Sequence, residues 1–186
     1  MAQIDDVILN MEIIYLAGNS TRNRDWIEEV KKQFDEFSGG EILYYDHWAR
    51  GEDSIMMEAE LKKLADLVKD KDDYYVFAKS IGTIVTLTAI GAGGLKPKKA
   101  IFCGLPCSLV EGGRDFEGVE EVLKGLTMPT IFVQNEFDKV GGEKEIKEIL
   151  GKYKLKDCSL VINPGVEGHN YEDYRQLMML AREFFK

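Results

Sequence analysis

The sequence predicts an α/β fold, a three-layer α/β/α sandwich around a mostly parallel central sheet. Short apolar runs alternate with longer amphipathic runs along nearly the whole chain, which is typical of strands that alternate with helices. The 186 residues fit the usual size of one domain, about 100 to 200 residues. The chain contains neither an internal repeat nor a linker-like stretch. We therefore expect one α/β domain over residues 1–186, with right-handed crossovers between its strands.

Six apolar runs are predicted to be strands because they are short, rich in β-branched and aromatic residues, and bounded by polar or glycine-containing turns. They cover residues 12–17, 42–45, 74–77, 100–103, 130–134 and 159–162. The segment Ile4 to Leu9 is a candidate for an additional edge strand. The sheet should accordingly have six to eight strands.

The longer runs between these strands are predicted to be helices. In residues 25–37, Trp26, Ile27, Val30 and Phe34 recur at helical spacing, and Ser38-Gly39-Gly40 is expected to end the helix. The other predicted helices cover residues 54–69, 84–90, 119–123, 143–150 and 171–185.

Composition excludes several classes of function. The net charge is −9, and an acidic chain lacks the positive field that attracts a phosphate backbone, so we expect no nucleic-acid partner. No apolar run approaches the roughly 20 residues of a membrane span. Asp5 and Asp6 stand where a signal peptide would be basic, and the odd set of three cysteines contains no CxxC pair. These features predict a cytoplasmic protein with free thiols and no membrane partner. They do not indicate whether the protein is a monomer or an oligomer.

The most informative stretch is Ala78-Lys79-Ser80-Ile81-Gly82, between a predicted strand and a predicted helix. A serine on a tight strand-to-helix turn, with small residues two before and two after it, is the nucleophile-elbow pattern G-x-S-x-G. Gly82 satisfies the second small position, and Ala78 replaces the first glycine. The pattern predicts that the hydroxyl of Ser80 stands clear of the sheet, ready to act as a nucleophile.

Two later strands are followed by an acid and a histidine. Asp138 ends the polar turn after strand 130–134, where Glu136 is a competing acid, and His169 ends the glycine-rich loop after strand 159–162. Strands of a parallel sheet end at one edge, so the side chains of Ser80, Asp138 and His169 should meet there. The only other histidine, His47, precedes the serine in the chain.

Together these motifs resemble the α/β-hydrolase superfamily, from Glu12 to the last helix. The chain is similar to small carboxylesterases and dienelactone-hydrolase-like enzymes that have no lid domain, since the 26 residues between strands 100–103 and 130–134 leave room for one short helix. The exposed glycine-rich loop that we expect at residues 111–115 should leave the site open. The resemblance implies Ser80 as the nucleophile, Asp138 as the acid and His169 as the base.

The resemblance also implies an oxyanion hole made by the backbone N–H groups of Ile81 and of a residue in the loop after the first central strand. That loop reads Leu16-Ala17-Gly18-Asn19-Ser20, so Asn19 is the expected second donor, and the histidine of the usual His-Gly motif is missing. His47 and Trp48, which follow the second strand, are candidates for binding the substrate.

The expected function is therefore hydrolysis of small esters or thioesters, with a small acyl compound as the substrate and no cofactor or metal. Two alternatives remain. The departures at Ala78 and in the oxyanion loop would suit a non-catalytic binding protein that keeps the hydrolase fold. A nucleotide or flavin binder is disfavoured, because no glycine-rich phosphate loop follows the first strand.

Overall fold

The described residues form six parallel β-strands in one sheet. The structure is a computed structural model that describes residues 11–112 and 118–186, without the side chains of residues 111 and 112. The strands lie in the order β2-β1-β3-β4-β5-β6. Their bounds are Met11–Leu16 (β1), Ser38–Ile42 (β2), Tyr75–Lys79 (β3), Ala100–Cys103 (β4), Thr130–Phe137 (β5) and Cys158–Glu167 (β6).

Eight helices occupy the connections and the C-terminal end of the described chain. Their bounds are Arg22–Phe34 (α1), Asp46–Ala49 (α2), Met57–Val68 (α3), Ile81–Gly91 (α4), Cys107–Gly112 (α5), Val119–Lys124 (α6), Glu143–Tyr153 (α7) and Tyr174–Phe184 (α8). Helices α1 and α8 pack against each other, and α4 packs against both α3 and α6. The predicted three-layer α/β/α architecture, with a parallel sheet of at least six strands, is confirmed.

The core forms where apolar side chains of the central strands meet the helices. Tyr15 of β1 and Phe77 of β3 are fully buried and pack edge-on against Phe34 of α1, with ring centroids 6.0 and 5.1 Å apart. Trp26 of α1 stacks on Phe77 at 6.2 Å. Burial of such aromatic side chains stabilises a core strongly, and here it fixes the position of α1 relative to the two central strands.

The predicted bounds of β2 are wrong, because Gly40 pairs with β1 instead of ending a helix. Residues 42–45 were predicted, whereas the strand covers Ser38–Ile42 and includes both glycines that were expected to end a helix. Gly40 has φ +112°, and a Cβ atom there would lie 1.9 Å from the backbone oxygen of Ile13. Only glycine allows this approach, so these residues serve strand pairing. Helix α1 correspondingly ends at Phe34 instead of Phe37.

Strand β4 has its predicted bounds, the other predicted elements within the described residues occur with shifted ends, and two short helices, α2 and α5, were not predicted. The candidate edge strand Ile4 to Leu9 and most of the loop expected at residues 111–115 lie outside the described residues. Within the ranges that the structure describes, no helix is both long and apolar enough to cross a bilayer.

Parallel strands bring their carboxyl ends to one edge of the sheet. Ser80 follows β3, Asp138 follows β5 and His169 lies two residues beyond β6. The loop of residues 17–21 follows β1 at the same edge. The topology therefore gathers the residues that the sequence singled out.

Candidate active site

Ser80 occupies a strained turn between β3 and α4. Its backbone has φ 54° and ψ −124°, a conformation that residues with a side chain rarely adopt. The turn is held because the N–H of Ser80 donates to the carbonyl of Cys103 at 2.9 Å. The N–H and hydroxyl of Thr83 both donate to the Ser80 carbonyl, at 2.9 and 2.7 Å. Ser80 is half-buried at the tip of this strand-to-helix turn, as the nucleophile-elbow pattern of the sequence predicts.

The small residues around Ser80 are required by close packing. A Cβ atom on Gly82 would lie 2.8 Å from the backbone oxygens of both Leu16 and Ala17. Ala78 is fully buried, paired with Leu16 of β1 and Phe102 of β4. Helix α4 thus begins directly against the end of β1, which brings Ser80 close to the 17–21 loop.

His169 and Asp138 form a hydrogen-bonded pair. Nδ1 of His169 lies 2.7 Å from Oδ2 of Asp138, and the carboxyl group is fully buried while the imidazole is about one quarter exposed. A carboxylate can only accept, so Nδ1 carries a proton, and in the neutral imidazole Nε2 then presents a lone pair. An imidazole held in this tautomer can accept a proton at Nε2.

Asp138 is held ionised by three donors. Burial opposes ionisation, but hydrogen bonds from His169, the N–H of Val140 and the hydroxyl of Tyr171 outweigh it and lower the pKa of Asp138. Val140 donates to Oδ1 at 2.9 Å, so both carboxylate oxygens are engaged. The competing acid, Glu136, accepts from the N–H of Gly165 at 2.7 Å. The structure therefore brings Asp138, and not Glu136, to His169.

Nε2 of His169 is buried and has no hydrogen-bond partner among residues 11–112 and 118–186, Ser80 included. The structure thus brings two residues of the predicted triad, His169 and Asp138, together, and the contact between Ser80 and His169 stays a prediction. An unpaired buried polar atom is costly, so a group that engages Nε2 would be stabilised there.

Tyr171, which the sequence analysis did not single out, supports the pair. Its hydroxyl donates to Oδ2 of Asp138 at 2.8 Å and accepts from the N–H of Asn135 at 3.1 Å. Burial, followed by the neighbouring charge of Asp138, raises the pKa of Tyr171, which keeps the phenol a donor. A Cβ atom on Gly104 would lie 2.7 Å from the Tyr171 ring and 2.8 Å from the His169 ring. Gly104 therefore leaves the space that both rings need.

A chain of side-chain amides fixes the loop that carries His169. Asn135 donates to the carbonyls of Gly168 and Asn170 at 2.9 and 2.8 Å, on either side of the histidine. Asn163 donates to the side-chain oxygen of Asn135 at 2.8 Å, and Gln176 of α8 donates to Asn163 at 3.0 Å. The loop is thereby tied to β5, β6 and α8.

The two expected oxyanion donors have unused N–H groups. Ile81 is the first residue of α4, where backbone amides lack helical acceptors and the helix dipole favours negative charge. Within the described ranges, no acceptor takes the N–H of Ile81 or of Asn19. Both groups therefore remain available to a bound oxygen atom.

Asn23 and Lys79 lie beneath the loop that contains Asn19. The Asn23 amide donates to the carbonyl and hydroxyl of Ser20 at 3.2 and 3.1 Å, and it packs against Gly18 so closely that a Cβ there would lie 2.7 Å away. Lys79 donates to the Asn23 side-chain oxygen at 2.7 Å. Lys79, the residue before Ser80, is thus linked to the 17–21 loop.

Lys79 is an unusual residue for a core. Its side chain is buried, with Nζ 5.0 Å from the centre of the Trp26 ring. Burial lowers the pKa of Lys79 to about 8, against the opposing influence of Cys103 and of the carboxylates of Asp138 and Glu172. The sequence did not single out Lys79, which lies two residues beyond the predicted strand 74–77.

His47 and Trp48 lie beside the oxyanion loop, at the start of α2. Both are buried, and their Nε2 and Nε1 atoms lie 2.6 and 3.0 Å from the carbonyl oxygen of Asn19. The structure therefore places these two residues against the protein's own backbone, and a contact with substrate stays a prediction. The described residues contain no group of three His, Cys, Asp or Glu side chains placed to hold a metal ion.

Comparison with solved structures defines the fold class. The chain is similar to a cold-adapted esterase from an Arctic intertidal metagenomic library, at 17% identity and a TM-score of 0.65, over 95% of this chain and 83% of that one. It is also similar to Est1E from Butyrivibrio proteoclasticus with ferulic acid bound, at 16% identity and a TM-score of 0.72, over 97% and 90% of the two chains. A thioesterase domain from the curacin biosynthetic pathway matches at 11% identity and a TM-score of 0.65, over 93% and 91%. The chain has the α/β-hydrolase fold.

No protein-family model matches the sequence, and no curated protein matches it significantly. At these low identities the likeness to solved structures concerns the fold. The chemistry has to be argued from the residues at the site.

Proposed function

We propose that this protein is a serine hydrolase that cleaves small ester or thioester substrates through a covalent acyl-enzyme. Ser80 is the nucleophile, His169 the general base and acid, and Asp138 the residue that orients His169. The observation that carries the proposal is the His169–Asp138 pair, with its unpaired Nε2, at the same sheet edge as a serine in a strained elbow.

In the first half-reaction, Ser80 Oγ attacks the carbonyl carbon of the substrate while Nε2 of His169 accepts the hydroxyl proton. The carbonyl oxygen becomes an oxyanion, which the N–H groups of Ile81 and Asn19 stabilise. The bond to the leaving group then breaks, and His169 returns the proton to the departing alcohol or thiol. The acyl group remains on Ser80.

In the second half-reaction, water takes the place of the alcohol. Nε2 of His169 accepts a proton from the water, whose oxygen attacks the acyl carbon, and a second oxyanion forms in the same hole. Collapse releases the carboxylic acid, and the proton on His169 returns to Ser80 Oγ. The ionised Asp138 stabilises the imidazolium in both halves, which its lowered pKa supports.

The class of bond is proposed from the site and from the neighbours together. Of the neighbours described above, one is an esterase, one is Est1E with ferulic acid bound, and one is a thioesterase domain. A thiolate and an alkoxide leave through the same tetrahedral intermediate, so one arrangement of Ser80, His169 and two N–H donors suits both.

Hydrolysis of p-nitrophenyl butyrate by the wild type and by Ser80→Ala tests the proposal. We expect turnover by the wild type and its loss in Ser80→Ala, with both proteins folded by circular dichroism. Ser159→Ala, which removes a hydroxyl from an exposed position of β6, is the matched control and should keep full activity. Turnover by Ser80→Ala at the wild-type rate would refute covalent catalysis by Ser80.

The alternative is a binding protein that retains the hydrolase fold, and the missing hydrogen bond between Ser80 and His169 favours it. Reaction with a fluorophosphonate separates the two functions. A hydrolase is labelled at an activated serine, whereas a binding protein with an inactive serine is not.

A further inference from the structure

Three ring-bearing side chains from the segment after β2, Tyr45, His47 and Trp48, form hydrogen bonds to the 17–21 loop, which carries the proposed oxyanion donor. The Tyr45 hydroxyl donates to the carbonyl of Ala17 at 3.0 Å. His47 and Trp48 both lie against the carbonyl of Asn19, with nitrogen–oxygen distances of 2.6 and 3.0 Å. A carbonyl only accepts, so His47 carries a proton on Nε2. These three donors therefore hold two backbone carbonyls of one short loop.

The two carbonyls flank the peptide whose N–H is the proposed second oxyanion donor. The N–H of Asn19 belongs to the peptide between Gly18 and Asn19, and the carbonyls of Ala17 and Asn19 belong to the peptides on either side. Fixing both neighbouring peptide planes leaves the middle one little rotational freedom, since each residue has only two soft dihedral angles. The direction of the Asn19 N–H is thereby set from outside the loop.

Residues 45–48, which provide these hydrogen bonds, are buried and held in place by their own contacts. Tyr45, His47 and Trp48 are 2%, 1% and 8% exposed, and the ring of Tyr45 stacks on that of His47. The N–H of Asp46 donates to the fully buried carboxylate of Glu60 in α3 at 2.8 Å. The hydrogen bonds to the loop thus start from side chains that have little freedom of their own.

We propose that Tyr45, His47 and Trp48 are positioning residues that aim the N–H of Asn19 at the oxyanion. The inference rests on the proposed function and deepens it. It assigns to the segment after the second strand the support of a loop that lacks the expected His-Gly pair. It also gives His47 and Trp48 a role other than the predicted contact with substrate, because Nε2 of His47 and Nε1 of Trp48 are occupied by the Asn19 carbonyl.

Tyr45→Phe tests the inference with little change in shape, because it removes a donor and keeps the ring. Trp48→Phe removes the second donor and keeps a smaller aromatic ring, so its melting temperature is measured beside its activity. We expect kcat for p-nitrophenyl butyrate to fall about 10- to 100-fold with little change in KM, since a misaimed donor weakens binding of the transition state and not of the substrate. The rate of labelling by a fluorophosphonate should fall in parallel, because its phosphoryl oxygen develops charge in the same hole.

His47 offers a rescue experiment. His47→Gln keeps an N–H donor near the position of Nε2 and should retain most of the activity, whereas His47→Met removes the donor and should lose it. The matched control is Tyr74→Phe. Tyr74 is buried just before β3, at the opposite edge of the sheet, and its hydroxyl accepts from the N–H of Lys96. It should change thermal stability without changing kcat.

The outcomes separate the inference from the function on which it rests. A wild-type protein that neither hydrolyses the ester nor reacts with the fluorophosphonate would overturn both. A reactive wild type with Tyr45→Phe, Trp48→Phe and His47→Met variants of equal kcat and equal labelling rate would overturn the inference alone. Lowered melting temperatures with unchanged kcat would do the same, because they would show a purely structural role.

Discussion

The hydroxyl of Tyr171 donates to Oδ2 of Asp138 at 2.8 Å, and the same oxygen accepts a hydrogen bond from Nδ1 of His169. Tyr171 lies only two residues beyond His169, so one loop delivers both donors to one buried carboxylate. Its backbone carbonyl accepts from the Trp26 indole at 2.7 Å, which ties this loop to α1. The pair of His169 and Asp138 is therefore held by the Tyr171 hydroxyl, while the Tyr171 carbonyl fixes the loop to α1.

Replacing Tyr171 with Phe should reduce stability and activity together. The variant loses a hydrogen bond to a charged group and leaves the buried N–H of Asn135 without its acceptor, so we expect a loss of about 2 to 3 kcal/mol in the free energy of unfolding. The activity of the folded protein should fall, because Asp138 holds His169 less firmly. Urea unfolding and ester hydrolysis measure the two effects.

The control for that experiment is Tyr44→Phe. Tyr44 donates to Glu28 at 3.1 Å in an equivalent tyrosine–carboxylate contact, but this contact is exposed. Its removal should change the free energy of unfolding by less than about 1 kcal/mol. Equal effects of the two substitutions would contradict the importance of burial at Asp138.

Two helical glycines should respond to alanine in opposite ways. Gly82→Ala would place a Cβ 2.8 Å from two backbone oxygens at the end of β1, so we expect lower stability and a displaced Ser80. Gly151→Ala in α7 meets nothing within 4 Å and should raise the free energy of unfolding by about 0.5 to 1 kcal/mol through helix propensity. Thermal denaturation of both variants checks the sign, and a stabilised Gly82→Ala would contradict the packing described at the elbow.

Lys79 should make stability depend on pH in the alkaline range. Burial lowers its pKa to about 8 in the folded protein, whereas an unfolded lysine titrates near 10.4. Below about pH 8 both states are protonated and the folded state carries the full penalty of a buried charge. Between about pH 8 and 10.4 the unfolded state binds more protons, so this group's contribution to stability rises with pH, by about 3 kcal/mol in all.

The comparison variant for this prediction is Lys79→Met. The free energy of unfolding of the wild type, minus that of Lys79→Met, should increase as the pH rises from 8 to 10. Lys62→Met, which alters an exposed lysine, should show no such trend. A difference between wild type and Lys79→Met that is flat or falls with pH would contradict a lowered pKa for the buried amine.

Substrate size follows from the absence of a lid insertion between β4 and β5, where the described residues form only the short helices α5 and α6. Burial of an acyl chain contributes about 0.8 kcal/mol per methylene, and a site as open as the sequence predicts could not bury many of them. We expect short-chain p-nitrophenyl esters, acetyl to butyryl, to have higher kcat/KM than long ones, with no rise in rate when the substrate forms micelles. A clear preference for decanoyl or longer esters would indicate an apolar tunnel and overturn this prediction.

Much of the fold could be predicted because periodicity is a local signal. Strand β4 was predicted with its observed bounds, since a fully buried strand between two turns is apolar throughout. The positions of Ser80, Asp138 and His169 after three strands followed from the same reasoning. A parallel sheet turns that order along the chain into a common edge.

What escaped prediction depends on contacts between residues far apart in the sequence. Tyr171 was predicted to begin the last helix, but that helix starts at Tyr174, with Asp173 capping it by accepting from the N–H of Gln176 at 2.9 Å. Tyr171 is thereby left in the loop, where its ring reaches Asp138. No local pattern predicts that Lys79 is buried, because the Asn23 side-chain oxygen that accepts its hydrogen bond lies 56 residues away in the sequence.

The central claim is that Ser80 forms a covalent acyl-enzyme with the help of His169, and intact-protein mass spectrometry tests it most directly. Wild-type protein mixed with p-nitrophenyl butyrate and quenched in acid within the first turnover should gain the mass of one butyryl group, located on the peptide that contains Ser80. Ser80→Ala should gain nothing, and His169→Ala should acylate far more slowly. Ester hydrolysis by the wild type without any acylated Ser80, or acylation at an equal rate in His169→Ala, would contradict the account.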